Sequence, residues 1–296
     1  MNLFLNDLVV IIPEVFLMIS AIILLMVGSF SKKNSAKVVV YFSVLTLITI
    51  SFLEIVLPWN NELIFNQSLV QNGFSRFVKS IIFLSSAFVM ILSSRWLIKY
   101  DDKAFEYPIL ILFSTLGMSF MVSANDLITL YLAIELQSLP LYVMASFKKD
   151  NIESGEAGIK YFVLGALSSS LFLFGASLVY GFTGSVEFLE ISKSIVSSDI
   201  NTGIIVGIVF ILSGLIFKIS AVPFHMWTPD VYEGSAIPVT AFFATAPKMA
   251  AMSMLVNILY GPFSGAFESW QQIIIFVSIA SMSLGSFVAI KQTNIK

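Results

Sequence analysis

The sequence predicts an all-α protein that crosses a membrane about nine times, and two observations support this prediction. Hydrophobic residues make up 57% of the 296 positions and charged residues only 11%, with a mean hydropathy of +0.93. Soluble domains are far more polar. Apolar runs of about 20 residues, the length at which a helix spans the hydrocarbon core of a bilayer, recur along the chain. We therefore expect a polytopic protein surrounded by lipid.

The predicted spans follow one another along the whole chain, separated by polar connections. The first span has no positive side chain ahead of it and no A-x-A-like site after it, so we interpret it as a retained helix rather than a signal peptide. The predicted spans cover residues 8–28, 37–57, 77–97, 107–123, 127–147, 157–181, 203–224, 236–260 and 271–290.

Lysine and arginine are distributed unequally between the two sets of connections. By the positive-inside rule, the set that is richer in these cations lies in the cytoplasm, which places the N-terminus outside. The poorer set holds Arg76, Lys79 and Lys193, and the richer set, with its flanks and the C-terminal tail, holds Lys32, Lys33, Lys37, Arg95, Lys99, Lys103, Lys148, Lys149, Lys291 and Lys296.

The residue inventory excludes several kinds of chemistry within the chain. There is no cysteine and a single histidine, His225, so iron–sulfur ligation, disulfides and bis-histidine haem are ruled out. No glycine-rich phosphate loop is present, since Gly181-x-x-Gly184 is too short a match. We therefore expect no cofactor and no metal in this chain, and nothing in it indicates a nucleic-acid partner.

Four ionisable residues lie inside the apolar stretches: Glu135, Lys160, Lys218 and Lys248. A charge at the bilayer centre costs about 2.5–3.5 kcal/mol on insertion scales, so such residues are rare and usually line an ion pathway. A buried lysine can also exchange its proton during function. The four residues are therefore candidates for ion transport, and Lys218 is the strongest of them because it stands about one turn before Pro223, where the helix is expected to break.

Prolines accompany three of these charges and predict interrupted helices. A proline has no N–H to bind the carbonyl one turn before it, so that carbonyl becomes free. Charge beside a broken helix is typical of transporters. The prolines are Pro140, Pro223 and Pro247, and the carbonyls expected to be free belong to Leu136, Ile219 and Phe243.

Each candidate also has an alternative interpretation without a transport role. Glu135 and Lys218 could form a fixed ion pair that holds two helices together. Lys160, near the start of its span, could extend its ammonium to the membrane surface. His225, which follows Pro223 in a polar hinge, could be a hydrogen-bonded loop residue instead of a proton-entry group. The sequence leaves these alternatives open.

The spans divide into three predicted units. Residues 1–100 form three N-terminal spans with little buried charge, in which Glu14 and Glu54 are expected to be solvated carboxylates near helix ends. Residues 101–261 form a five-helix unit that contains all four candidate charges. Residues 262–296 form the first helix of a second unit, because five-helix units in transporters come as inverted pairs. We therefore expect the chain to be a fragment.

Two stretches of sequence carry a resemblance to a known family. The first is LAIELQSLPLYVMA at 132–145, continued by EAGIKYFVLGA at 156–166. The second is FKISAVPFHMWTPDVYEG at 217–234, continued by PVTAF at 238–242 and by Pro247-Lys248. Together they closely resemble the antiporter-like membrane subunits of bacterial respiratory complex I, the NADH:quinone oxidoreductase, and among these the subunit N type.

The resemblance implies a proton-translocating, multi-pass subunit of the bacterial inner membrane with a periplasmic N-terminus. It implies that Lys218 binds the proton, Glu135 adjusts its affinity, Lys160 relays and Lys248 passes the proton onward. Other membrane-arm subunits would be its partners, and NADH, FMN, iron–sulfur clusters and quinone would belong to partner subunits.

Two departures from the family pattern accompany the resemblance. Ser235-Ala236-Ile237 stands where a proline-containing turn is usual, and family members continue through five further helices. Two other functions remain open at this point. One is a subunit of a sodium or potassium/proton antiporter with the same fold, and the other is a structural spacer in the membrane.

Overall fold

The computed structural model describes residues 7–31, 35–57, 61–100, 104–148, 150–197 and 201–294. Within these ranges, nine segments are helical, long and apolar enough to cross a membrane. The predicted all-α, multi-pass fold is confirmed. Among the cations used above for orientation, those outside the described residues are Lys32, Lys33, Lys103, Lys149 and Lys296, together with the side chain of Lys99.

The helices of the membrane spans follow the predicted order. Two short helices, α7 and α9, lie in connections between spans, and a short 3-10 turn at Ser264–Ala266 precedes the last helix. The helices are α1 (Ile12–Phe30), α2 (Ser35–Val56), α3 (Gly73–Tyr100), α4 (Glu106–Ser123), α5 (Leu127–Ala145), α6 (Ile152–Thr183), α7 (Phe188–Ser197), α8 (Thr202–Ile219), α9 (Trp227–Gly234), α10 (Ile237–Phe243), α11 (Ala246–Tyr260) and α12 (Phe267–Lys291).

Side-chain caps fix where three of the central helices begin. The Oδ1 of Asp126 accepts hydrogen bonds from the backbone N–H groups of Ile128 at 2.8 Å and Thr129 at 2.7 Å, which starts α5. Asn151 and Asn201 cap α6 and α8 in the same way. Such caps satisfy N–H groups that have no partner inside the helix. The caps therefore set the register at which the charged residues of α5, α6 and α8 project from their helices.

Glycines allow the central helices to approach closely. A Cβ at Gly207 on α8 would lie 3.0 Å from the carbonyl oxygen of Gly175 on α6, and a Cβ at Gly117 on α4 would lie 2.3 Å from the backbone nitrogen of Gln137 on α5. Membrane helices gain packing contacts where small residues let their backbones meet. These contacts hold α6 against α8, which carries Lys218, and α4 against α5, which carries Glu135.

Two spans are interrupted next to lysines. The span predicted at 203–224 ends earlier, because α8 stops at Ile219 with Ser220 in a left-handed conformation at φ 60°, and the chain is helical again only at Trp227. The span predicted at 236–260 is two helices, α10 and α11, separated by residues 244 and 245. Pro247 stands at the start of α11, where its missing N–H costs nothing.

A β-hairpin between α2 and α3 was not anticipated from the sequence. Strand β1 (Glu62–Ile64) pairs antiparallel with β2 (Leu69–Gln71). Ile64 and Leu69 pack against Ile11 in a small apolar cluster. The hairpin therefore covers the end of the bundle at which α1 begins.

Candidate functional site

Lys218 lies in the last turn of α8 and is only 8% exposed. Its Nζ donates a hydrogen bond to Oγ of Ser138 at 2.8 Å and lies 3.4 Å from the hydroxyl oxygen of Tyr142. Among the residues that the structure describes, no carboxylate lies within 4.0 Å of this ammonium group. The charge is therefore held by hydroxyl groups and not by an ion pair.

Glu135 lies on the same face of α5 as Ser138 and Tyr142, at spacings of three and seven residues. Its carboxyl oxygen Oε1 is buried and has no hydrogen-bond partner within the described ranges. Glu135 and Lys218 thus face a common region without touching. The fixed ion pair that the sequence left open is not formed in this structure.

Lys248 stands in the first turn of α11 and meets the broken end of α8. Its Nζ contacts Oγ of Ser220 and lies 3.5 Å from the carbonyl oxygen of Lys218. The ammonium also lies 4.8 Å from the ring centre of Trp227, within the range of a cation–π interaction. The two interrupted spans therefore bring Lys218 and Lys248 together through one backbone carbonyl and one hydroxyl.

A layer of aromatic rings closes one side of this arrangement. Tyr161 stacks on Trp227 with ring centres 4.5 Å apart, and Tyr142 meets Tyr161 edge-on at 4.9 Å. The indole nitrogen of Trp227 donates to the carbonyl oxygen of Phe217 at 3.2 Å. The layer packs beside the two lysines, and the hydrogen bond of Trp227 positions the helix end that carries Lys218.

Lys160 lies apart from these groups, at the surface. Its side chain is 40% exposed and forms ion pairs with Glu156 at 2.6 Å and with Asp230 at 2.5 Å. Glu156 is an exposed residue of α6, four positions before Lys160. The three side chains, with Glu153 and Glu233, line an open cavity of about 190 Å³.

His225 lies in the turn between α8 and α9. Its carbonyl oxygen accepts a hydrogen bond from the backbone N–H of Thr228 at 2.9 Å. The Nδ1 atom of its imidazole is buried, and no described residue offers it a hydrogen bond. The structure places His225 close in sequence to the break after Ile219 but shows no hydrogen bond from its ring to either lysine.

A second buried group of charges was not anticipated from the sequence. We name it the N-terminal ion cluster, and its members are Glu14, Glu54, Arg76 and Lys79. None of the four is more than 4% exposed. Lys79 forms an ion pair with Oε1 of Glu14, and Arg76 donates to Oε2 of Glu54 at 3.0 Å. The prediction that Glu14 and Glu54 are solvated carboxylates is wrong, because cations from α3 accompany both into the bundle.

The cluster follows from the up-and-down path of the first spans. Glu14 lies near the start of α1, Glu54 near the end of α2, and Arg76 and Lys79 near the start of α3. Antiparallel neighbours bring these positions to one end of the bundle. The sequence does contain a signal for this cluster. Each of the first two spans holds one acid, and the start of α3 holds two cations three residues apart. Arg76 and Lys79 are therefore buried within the bundle, whereas the orientation argument counted them as loop cations.

No resident metal site is visible in the described part of the chain. A search of those residues finds no group of three histidine, cysteine, aspartate or glutamate side chains that could hold a metal ion. The buried lysines and glutamates remain as the chemical groups of the site. Lysine and carboxylate side chains can bind and release protons, so the arrangement is suited to proton transfer.

Comparison with known proteins identifies the family. The sequence pattern described as "NADH:quinone oxidoreductase/Mrp antiporter, TM" matches residues 124–296. The chain belongs to this family. It is 49% identical over 290 residues to NADH-quinone oxidoreductase subunit N of Rhodospirillum rubrum, covering 96% of this chain and 59% of the relative. It is 50% identical over 285 residues to the protein of the same name from Parvibaculum lavamentivorans, again covering 96% of this chain and 59% of the relative.

The chain thus spans about three fifths of the length of the curated relatives that it matches. Among solved structures, it resembles a chain of respiratory complex I from Thermus thermophilus with bound aureothin, with a TM-score of 0.70 and 29% identity over 83% of this chain and 52% of that one. It also resembles a chain of the Mrp complex from Dietzia, with a TM-score of 0.82 over 97% of this chain and 55% of that one. The second likeness, at 19% identity, concerns the fold alone. The resemblance inferred from the motifs is confirmed.

Proposed function

We propose that this chain translocates protons as a membrane-arm subunit of an NADH:quinone oxidoreductase. The relatives that match 96% of this chain are named subunit N of that enzyme. The observation that carries the proposal is the state of Lys218, a buried ammonium whose hydrogen-bond partners are the hydroxyls of Ser138 and Tyr142. A structural spacer would be expected to neutralise such a charge with a carboxylate.

Hydroxyl partners suit a lysine that gains and loses a proton. A hydroxyl group accepts a hydrogen bond from an ammonium and can turn to donate one to a neutral amine. A carboxylate, by contrast, would attract the proton in every step and hold the lysine charged. Ser138 and Tyr142 therefore support Lys218 in both protonation states.

The proposed path runs along the buried groups. The proton reaches Nζ of Lys218, Glu135 on α5 adjusts how firmly it is held there, and the neutral amine of Lys248 then receives it. Ser220 and the carbonyl group of Lys218 lie between the two amines. Lys160 belongs to the proposal as a relay at the surface, where Glu156 and Asp230 bind it, and His225 as a possible entry group.

The remaining parts of the proposal concern the assembly. NADH, FMN, the iron–sulfur clusters and quinone belong to partner subunits, and electrons move there while this chain carries protons. Residues 1–100 form the N-terminal spans, residues 101–261 form the first proton-channel unit, and residues 262–296 form the first helix of a second unit. The N-terminus lies on the periplasmic side of the bacterial inner membrane.

The function is tested by Lys218→Met in the assembled complex, compared with the matched variant Lys193→Met. Methionine keeps most of the volume and removes the charge, so the subunit should assemble while protons moved per NADH oxidised fall sharply. Lys193 is 61% exposed and, among the described residues, pairs with Glu190 at the surface, so its variant should pump normally. Unchanged pumping in Lys218→Met would rule out the proposed role.

The orientation is tested with single cysteines, since the chain has none of its own. Asn61→Cys lies in the connection between α2 and α3, and Asp150→Cys lies in that between α5 and α6. Both positions are exposed. In right-side-out membrane vesicles, an impermeant maleimide should label the first variant and not the second. Labelling of the second alone would reverse the orientation.

A further inference from the structure

We propose that the N-terminal ion cluster is a second proton-binding site, in which one proton exchanges at Oε1 of Glu54. The site lies among α1 to α4, away from Lys218 and Lys248. It would exist even if no proton passed through the central lysines, so the inference does not rest on the proposed function. Its ligand is a proton and its acceptor is a carboxylate oxygen.

The two acids of the cluster are held differently. Oε1 of Glu14 accepts from Lys79 and also from the hydroxyl of Ser119 at 2.7 Å. Glu54 accepts one hydrogen bond, from Arg76 to Oε2, while its Oε1 accepts none within the described ranges and lies 4.0 Å from Nζ of Lys79. Glu54 is therefore the acid with the weaker set of donors.

A proton at Oε1 of Glu54 would leave the existing hydrogen bonds of the cluster in place. A buried carboxylate oxygen without a donor is costly to leave unsatisfied. The added proton removes the charge of Glu54, while Arg76 keeps its hydrogen bond to Oε2 and Lys79 keeps its contact with Glu14. Oε2 of Glu14 also lacks a donor, but the ammonium and the hydroxyl on its other oxygen favour the ionised form.

The charges that act on Glu54 all belong to the cluster. Glu14 on α1 and Arg76 and Lys79 on α3 are the charged groups that face it among the described residues. Glu62, in the nearby hairpin, is opposite Gln71 in the strand register and forms no ion pair with the cluster. With two acids and two cations the cluster is neutral, and proton uptake gives it one positive charge.

Polar side chains also lie beside the cluster, where the hairpin meets the start of α3. Ser75, next to Arg76 at the start of α3, donates from its hydroxyl to Oε1 of Gln71 at 3.3 Å. The half-buried Asn72 accepts from the backbone N–H of Ser75 at 2.8 Å. Nε2 of the buried Gln71 finds no hydrogen-bond partner among the described residues. These groups could hold the waters through which a proton enters beneath the hairpin.

The test is infrared spectroscopy of the full chain in lipid nanodiscs, carried out in a Glu135→Gln background. Above about pH 6, exposed carboxyls are ionised because their pKa lies near 4.3, so a remaining carbonyl band of a protonated acid reports a buried carboxyl. We expect one such band that titrates with pH, its loss in Glu54→Gln, and its retention in the hairpin control Glu62→Gln.

In the Glu135→Gln background the infrared band cannot come from Glu135. The band then reports a carboxyl group outside the region of the central lysines. A Glu135→Gln chain without a titrating acid band overturns the proposal before any cluster variant is needed. Persistence of the band in Glu54→Gln also overturns it. If Glu54→Gln alone does not fold, the double variant Glu54→Gln/Arg76→Gln replaces the ion pair by two neutral amides and gives the same readout.

Discussion

The two buried charged regions of this protein differ in the partners of their cations. In the N-terminal ion cluster, Lys79 and Arg76 each lie against a carboxylate. Along the central helices, Lys218 and Lys248 lie against hydroxyls, a backbone carbonyl and an aromatic ring. The four residues of the cluster and Lys218 are buried, and Lys248 is half-buried. Burial alone therefore does not suit a lysine to carry protons, because an adjacent carboxylate holds it in the charged state.

The same difference predicts that the two regions contribute differently to the stability of the fold. The cluster connects three helices through ion pairs and reaches α4 through the hydroxyl of Ser119. Removing one partner of a buried ion pair leaves an uncompensated charge. Removing a lysine that has no carboxylate partner leaves no such charge behind. Stability should therefore depend on the cluster, and proton transfer on the central lysines.

The largest stability effect is expected for Lys79→Met. This change leaves Glu14 without its cation and Glu54 with Arg76 alone, which should cost about 3–5 kcal/mol of unfolding free energy. Denaturation of the detergent-solubilised chain, followed by circular dichroism, measures it. The matched control is Lys193→Met, whose exposed pair with Glu190 should contribute little. Equal stability of the two variants would contradict the structural role of the cluster.

The next effect is expected for Glu135→Gln, on activity rather than stability. Oε1 of Glu135 has no hydrogen-bond partner in the described structure, so the neutral amide should leave assembly almost unchanged. Pumping by the assembled complex should fall at least about tenfold, which corresponds to ~1.4 kcal/mol in the barrier. Subunit content and proton uptake are measured on the same membranes. Depleted subunit with normal pumping per complex would show that Glu135 has a structural role only.

The smallest effect is expected for Lys160→Met. Its ammonium is 40% exposed and is bound to two carboxylates at the surface, and exposed ion pairs contribute little to stability. Subunit content should stay close to the wild-type value, and pumping should fall only slightly, because the carboxylates of Glu156 and Asp230 remain at the surface to pass the proton. A loss of pumping as large as that of Lys218→Met would place Lys160 within the obligatory proton path and would sharpen its role as a relay.

The sequence was sufficient for the number and order of the membrane spans, and it singled out the lysines that the structure brings together. Hydropathy reports the length of an apolar run directly, and Lys218 and Lys248 stand out because charge is rare inside such runs. The prolines indicated the interruptions near both residues. The exact breaks were less predictable, because α8 ends at Ile219 through a left-handed Ser220 that has no clear sequence signal.

Contacts between distant helices were not predictable from the chain alone. Glu14 and Lys79 are far apart in sequence, and each by itself resembles a polar residue near a helix end. Only the packing of α1 against its neighbours reveals that the two share a buried site. Tyr142 was missed for the same reason. A tyrosine in an apolar run gives no sign of its partner, and only the packed structure brings its hydroxyl to Lys218. The hairpin was missed because its strands are only three residues long.

Lys218 is proposed to bind and release a proton in every cycle, and the variant Lys218→Arg separates this role from that of a fixed charge. Arginine keeps the positive charge and can donate to Ser138 and Tyr142, but a guanidinium with a pKa above about 12 does not release its proton. Proton pumping by the assembled complex should therefore fail in Lys218→Arg almost as completely as in Lys218→Met, with subunit content preserved. Pumping by the arginine variant at the wild-type rate would show that Lys218 is only a fixed positive charge.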